Sequence, residues 1–214
     1  MYTVPVAPWT FPDQPSRGVA SEYLRYLFDA AAVPATLGSW PYARAINGLR
    51  DGSNTAAMLI PDAERDGFAV RLCQVTTIRS GLLYKKARFP ALRIEALGAL
   101  SVGMQHGTHA LDKLDGIAGM RPHLIESVEQ GLKMLELDRL DATFLSSPGS
   151  ASVVRASGLV AEQYGWLEID AAPVVIYISR KAELARDGAA MQRLKDVCLG
   201  SGKPVMDELM RKYR

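Results

Sequence analysis

A chain of 214 residues with 48% hydrophobic and 22% charged residues has the composition of an ordinary globular protein, long enough for one large domain or two lobes. The net charge of +2 is too small, and no basic block with interleaved aromatics is dense enough, for a nucleic-acid surface or an anionic membrane. No apolar run reaches the roughly 18 residues of a membrane span, and no cleavable leader is visible.

The first residues, Tyr2-Thr3-Val4-Pro5-Val6, read as a strand or its lead-in. A helix is predicted over 21–32, where Tyr23, Leu24, Leu27, Phe28 and Ala31 share a face and Pro34 ends it. Pro41 suits the first turn of a second helix, which Gly52 closes. Residues 55–60 form a buried strand. Phe68, Val70 and Leu72 alternate like a half-exposed one, and Leu82-Leu83-Tyr84 reads as another, separate strand. Between them and the next unit, Lys85-Lys86-Ala87-Arg88 is the densest basic stretch and reads as a solvated connection.

The pattern then restarts. A short helix or turn falls within 90–97, a strand over 100–104, a short helix carries Leu111 and Leu114, and Leu124-Ile125 is a brief strand. Ser127 and Gln130 have capping-box spacing ahead of a helix with Leu132 and Leu135. Strands follow over 141–145 and 172–179, the latter rich in Val and Ile, and two helices close the chain over 189–199 and 204–213. Strands alternating with helices define the α/β class, and the restart near residue 90 predicts two similar lobes.

Two short stations lie where a strand ends and a turn or helix begins, which is where open α/β sheets bind ligands. One is Asp62-Ala63-Glu64-Arg65, after an apolar run. The other is His106-Gly107-Thr108-His109, after Ser101-Val102-Gly103-Met104. An arginine offers a rigid fork that matches a carboxylate bidentately. A Gly-Thr step at a helix start presents free N–H groups and a hydroxyl to an anion. Cys73 and Cys198 lie far apart with no metal or redox spacing. They are either two buried thiols or, in an exported protein, a disulfide.

Five stretches, in order and across nearly the whole chain, carry a likeness. Trp40-Pro41-Tyr42-Ala43-Arg44-Ala45-Ile46 opens a helix that ends at Gly52; Asp62 to Arg65 forms a turn; 97–108 reads LGALSVGMQHGT; Leu137-Asp138-Arg139-Leu140-Asp141-Ala142 precedes a strand; and 192–213 forms the closing helical pair. Together they resemble the type 2 periplasmic solute-binding proteins, in particular the amino-acid-binding family three of ABC importers. The resemblance implies a two-lobed periplasmic-binding-protein-like type 2 fold, each lobe a mixed sheet flanked by helices, joined by a two-segment hinge. Lobe one would be 1–86 plus 181–214 and lobe two 88–180. It also implies a periplasmic or extracytoplasmic protein whose targeting segment is absent from this chain. Such a protein is a monomer that passes its ligand to the membrane permease of an importer.

By the same resemblance, Arg65 binds a ligand carboxylate from lobe one. The bland reading is a salt bridge to Asp62, Glu64 or Asp66. Gly107 and Thr108 would complete the anion site from lobe two, with His109 beside them at a position where the family often has a small hydroxyl residue. Trp9 stands nearest the family's stacking aromatic, with Tyr42, Trp40 and Phe11 as further cleft-wall candidates. All four also suit plain packing. Ser146 falls closest to the position where amino-acid binders carry an acidic residue for the ligand ammonium. A serine cannot offset that charge, so a small organic anion, carboxylate or amino-acid-like, is expected. Asp141 is expected to brace structure. The chain shows no nucleophile elbow, zinc signature or phosphate loop, so binding without catalysis, cofactor, metal or nucleic acid is expected. The alternatives are a ligand-sensing extracytoplasmic domain of a receptor or a cyclic-carboxylate dehydratase on the same fold, with Glu64 as its acid.

Overall fold

The computed structural model describes residues 1–5, 7–105, 114, 117, 119–148, 154 and 157–213. In chain order its elements are β1 (Tyr2–Thr3), α1 (Val19–Ala30), β2 (Gly38–Ser39), α2 (Tyr42–Asp51), β3 (Ala56–Leu59), α3 (Ala63–Phe68), β4 (Ala69–Lys85), β5 (Ser101–Gln105), β6 (Arg121–Ile125), α4 (Val128–Glu136), β7 (Ala142–Ser146), β8 (Tyr164–Ser179), α5 (Gly188–Leu199) and α6 (Gly202–Lys212). Short 3-10 turns add Ile94–Ala99, Ala161–Gln163 and Glu183–Arg186. The chain divides into two compact units: Met1–Thr77 with Ala172–Tyr213, and Ile78–Ala171. The expected α/β class with a mixed sheet flanked by helices is the class observed.

In the first unit, β3 runs antiparallel to the end of β8, with Ala57 opposite Tyr177 and Met58 opposite Ile176. Successive residues point to opposite faces, and both faces are covered. Ala56, Met58, Ile176 and Ile178 meet the core of α1, α5 and α6, whereas Ala57, Leu59, Val175 and Tyr177 meet Leu49 of α2 and Ala69. This double burial is why β8 reads as a near-continuous apolar run. The α1 face holds Val19, Tyr23, Leu24 and Leu27, all fully buried. Full burial of each such leucine stabilises the fold by about 1.5–3 kcal/mol.

The helix begins two residues before the predicted start. The carbonyls of Pro8 and Trp9 accept the N–H groups of Val19 and Ala20 at 3.0 and 2.8 Å, which supplies partners outside the helix to its first free donors. Gly52, at φ 95°, closes α2 in the left-handed region where a Cβ is strained.

The cysteines form the disulfide. Cys73 of β4 is bonded to Cys198 of α5, with Cα atoms 6.6 Å apart. The buried Tyr23 hydroxyl donates to Cys198 Sγ at 3.6 Å, and burial pushes that hydroxyl up to about 12. The C-terminal end is tied back to α1: Lys212 donates to Glu22 at 2.7 Å, and the Tyr213 hydroxyl donates to the same carboxylate.

In the second unit, β4 pairs antiparallel with β7, and β5 pairs in parallel with both β7 and β6. Leu82, Tyr84, Val102, Met104 and Phe144 form one core, and Leu83, Leu145, Leu132 and Leu135 form the other. Ser127 caps α4 as expected, accepting from the Gln130 N–H at 3.2 Å. Gln130 reaches back to the N–H of Glu126 at 2.7 Å, one residue before its capping-box partner. Asp141 braces the start of β5, accepting from the Ser101 N–H at 2.7 Å and pairing with Arg88 at 2.7 Å.

Two expected strands turn out to be one. The segment between Leu72 and Leu82 lacks an apolar alternation but also lacks a turn, and β4 runs through it for 17 residues. Gly81 sits within it because the neighbouring strand lies too close for a side chain. A Cβ there would stand 2.3 Å from the Leu167 carbonyl and 2.6 Å from the Trp166 ring. β8 likewise begins at Tyr164, well before the predicted 172, because Trp166, Glu168 and Asp170 alternate with Leu167 and Ile169. The predicted helix carrying Leu111 and Leu114 lies largely outside the described residues.

Candidate functional site

The first station is a polar turn built on the end of β3. Asp62 caps α3, its carboxylate accepting from the N–H groups of Glu64 at 2.8 Å and Arg65 at 3.2 Å. This fixes the backbone from which the Arg65 side chain departs. One terminal nitrogen of its guanidinium donates to the Ile60 carbonyl at 2.6 Å, and the other donates to the hydroxyl of Tyr42. Tyr42 opens α2, is 50% exposed, and places its ring centroid 5.8 Å from the guanidinium carbon.

The carboxylates that neighbour Arg65 in sequence go elsewhere. Glu64 pairs with Arg50 at 2.5 Å. Asp66 takes Arg71, with Nε at 2.7 Å, and the Tyr177 hydroxyl at 2.8 Å. Asp62 is occupied by the backbone of its own turn. The hydrogen bonds from Arg71 and then Tyr177 hold the Asp66 carboxyl below its usual value, and Asp66 in return raises Arg71. Among the described residues, Arg65 therefore meets two neutral acceptors and no carboxylate. Its guanidinium has more donors than the two used here. A half-buried cation of this kind is suited to receive a carboxylate as two parallel N–H···O bonds.

The structure thus brings Arg65 and Tyr42 together. Trp9 is half-buried against the core of α1, and its backbone carbonyl holds Ala20. Among the described residues no hydrogen bond or ring contact joins it to the Arg65–Tyr42 pair. Trp40 stacks on Tyr2 with centroids 3.5 Å apart, under Arg44 at 4.3 Å, and Phe11 packs with Tyr213 and Arg17. Ser146, in the second unit, is exposed at the end of β7 opposite Ser80. Gly107, Thr108 and His109, with His106, lie outside the described residues.

Sequence reasoning missed Tyr177, and it named Asp66 only as a possible partner of Arg65, whereas Asp66 pairs with Arg71 and Tyr177. Tyr177 is fully buried in β8, yet its hydroxyl donates to Asp66 and accepts from the Asp62 N–H at 3.3 Å. The one available signal was a hydroxyl-bearing aromatic inside the aliphatic run Val174-Val175-Ile176-Tyr177-Ile178.

Against this geometry the chain was compared with known proteins. No protein-family model and no curated protein matches it. Solved structures do. The GluR0 ligand-binding core from Nostoc punctiforme, in complex with L-glutamate, matches with a TM-score of 0.75 at 13% identity, over 99% of this chain and 97% of that one. The periplasmic VFT2 domain of BvgS from Bordetella pertussis matches with 0.70 at 16%, over 100% and 92%. The arginine-, lysine-, histidine-binding protein ArtJ from Geobacillus stearothermophilus matches with 0.71 at 15%, over 99% and 94%. The chain has their fold. The fold implied by its resemblance to the type 2 solute-binding proteins is therefore the fold it adopts. No helix among the described residues is long and apolar enough to cross a membrane.

Proposed function

We propose that this chain is an extracytoplasmic solute-binding protein for a small organic anion, a carboxylate or amino-acid-like molecule, which it delivers to an ABC-type membrane importer. The observation that carries this reading is Arg65. Its guanidinium is oriented by Ile60 and Tyr42 and left without a carboxylate partner among the described residues, at the end of a strand. The ligand carboxylate would supply the missing charge. Gly107, Thr108 and His109 stand in the same proposal as further anion donors, with Trp9 and Ser146 as ligand contacts.

Two other observations support the reading. The GluR0 core, solved in complex with L-glutamate, and ArtJ, an arginine-, lysine-, histidine-binding protein, share the fold. The Cys73–Cys198 disulfide suits an oxidising compartment such as the periplasm. The chain acts by binding rather than catalysis in this proposal, as a monomer.

Native mass spectrometry of the untreated protein tests it, followed by a thermal-shift screen of the amino acids and simple carboxylates. A carboxylate held one-to-one, or a clear upward shift with one class of carboxylate, is the expected result. Binding confined to uncharged ligands would overturn the proposal, as would turnover of a cyclic hydroxy acid.

A further inference from the structure

We infer that the buried Tyr177 hydroxyl, acting through Asp62 and Asp66, is the positioning group that aims the Arg65 guanidinium. This rests on the reading of Arg65 as the carboxylate-binding residue.

The turn that carries Arg65 is tied to α2 by the Glu64–Arg50 pair, and the rest of its shape is set by polar contacts to the sheet. The α3 helix is six residues long and buries none of them fully, so it is too short to be stable on its own, and its one apolar anchor is Phe68, partly buried at its end against the core of Leu49 and Tyr177. Its shape is set by polar contacts at its two ends, and one oxygen atom serves both. The Tyr177 hydroxyl accepts from the Asp62 N–H at 3.3 Å, at the start of the turn. It donates to Asp66 Oδ1 at 2.8 Å, one turn later. A hydroxyl has the one proton and the lone pairs that this double duty requires.

Around the clamp, Arg71 holds the Asp66 carboxylate and Arg180 donates to the Asp66 carbonyl at 3.1 Å. Arg65 lies between the clamped ends, and its own N–H is held by Asp62. The Tyr177 ring is locked in the core of Leu49, Ala57, Leu59, Ala69 and Val175, so the clamp is referred to the sheet itself. Removing the hydroxyl frees the turn and leaves the ring in its core. A fork that must meet a carboxylate with two parallel bonds tolerates little displacement.

The test is Tyr177→Phe, alone and combined with Arg65→Gln. In the ligand-free protein, NMR of the Arg65 side chain is expected to show hindered rotation about the Nε–Cζ bond in the parent and fast rotation in Tyr177→Phe. Exchange of the Asp62 amide is expected to accelerate about tenfold or more. With L-glutamate as the calorimetric probe, Tyr177→Phe should weaken binding roughly 5- to 20-fold, about the border between the loss of a neutral hydrogen bond and of one to a charged group, because the Arg65 fork itself is kept. In the Arg65→Gln background the same change should cost less than about twofold.

Unchanged Arg65 rotation in folded Tyr177→Phe would overturn the inference. So would an equal loss of affinity in both backgrounds, which a merely structural role produces. Asp66→Asn serves as the second variant, with the same expected loosening, should Tyr177→Phe fail to fold. The rotation measurement needs no ligand, so it decides the inference even where L-glutamate does not bind. Parent-like affinity of Arg65→Gln would instead sink the binding reading.

Discussion

The helical layer of the first unit and the polar turn that carries Arg65 lie on opposite faces of the same strands, and they are held by different forces. The layer of α1, α5 and α6 is apolar, deeply buried and crossed by the Cys73–Cys198 bond. The turn over 62–68 buries no side chain fully and is fixed by a capping carboxylate, a tyrosine hydroxyl and an arginine–aspartate pair. Stability therefore resides mainly in the first region, and the proposed function places ligand recognition in the second. Substitutions should separate the two properties.

The largest expected effect is on the layer. Converting Cys73 and Cys198 to serine releases a loop spanning 125 positions. Stability should fall by about 2–5 kcal/mol, read as a lower denaturant midpoint, with the affinity of the folded protein unchanged. A loss of affinity as large as the loss of stability would break the separation.

Next comes the turn. Asp62→Ala removes the cap of α3 and is expected to cost about 1 kcal/mol of stability. Its effect on carboxylate affinity should be the larger one, because the Arg65 N–H loses its partner. Paired denaturation and calorimetry compare the two, and a purely thermodynamic loss would contradict the assignment.

The smallest effect is in the pH dependence. Burial raises the Glu22 carboxyl, but hydrogen bonds from Lys212 and Tyr213 outweigh it and leave it below its ordinary value of 4.5. A carboxylate with a depressed value stabilises the fold above the unfolded value, and that contribution is lost as pH falls through the folded one. Glu22→Gln should therefore flatten the acid limb of the stability curve below about pH 4.5 and leave ligand binding untouched. An acid limb identical to the parent's would show that this tie adds nothing.

The two regions also differ in how far the sequence revealed them. The layer was legible because it obeys local rules: Tyr23, Leu24, Leu27 and Phe28 recur at helical spacing along α1. The turn at Asp62 and the fork of Arg65 lie within a few residues of one another and could be read together as one station, although the capping role of Asp62 was not seen. Tyr177 could not. It reaches Asp66 across 111 positions, and only the antiparallel pairing of β3 with β8 brings it beneath the turn.

The disulfide was open for the same reason, since two distant cysteines carry no spacing signal. The single long strand β4 was hidden by chemistry of a different kind. Its middle is polar and half-exposed, so the alternation that marks a strand fades where no turn interrupts the chain. Of the site residues, Arg65 and Tyr42 are brought together, Trp9 joins the core, and Gly107, Thr108 and His109 lie outside the described residues.

The most direct test of the central claim is calorimetric titration of the parent and Arg65→Ala with the carboxylate that the thermal-shift screen selects. The account predicts a loss of affinity of about 30- to 300-fold, as for a charged hydrogen-bonding partner removed from its counter-charge, with an unchanged melting temperature. Equal affinity in the two proteins would contradict it.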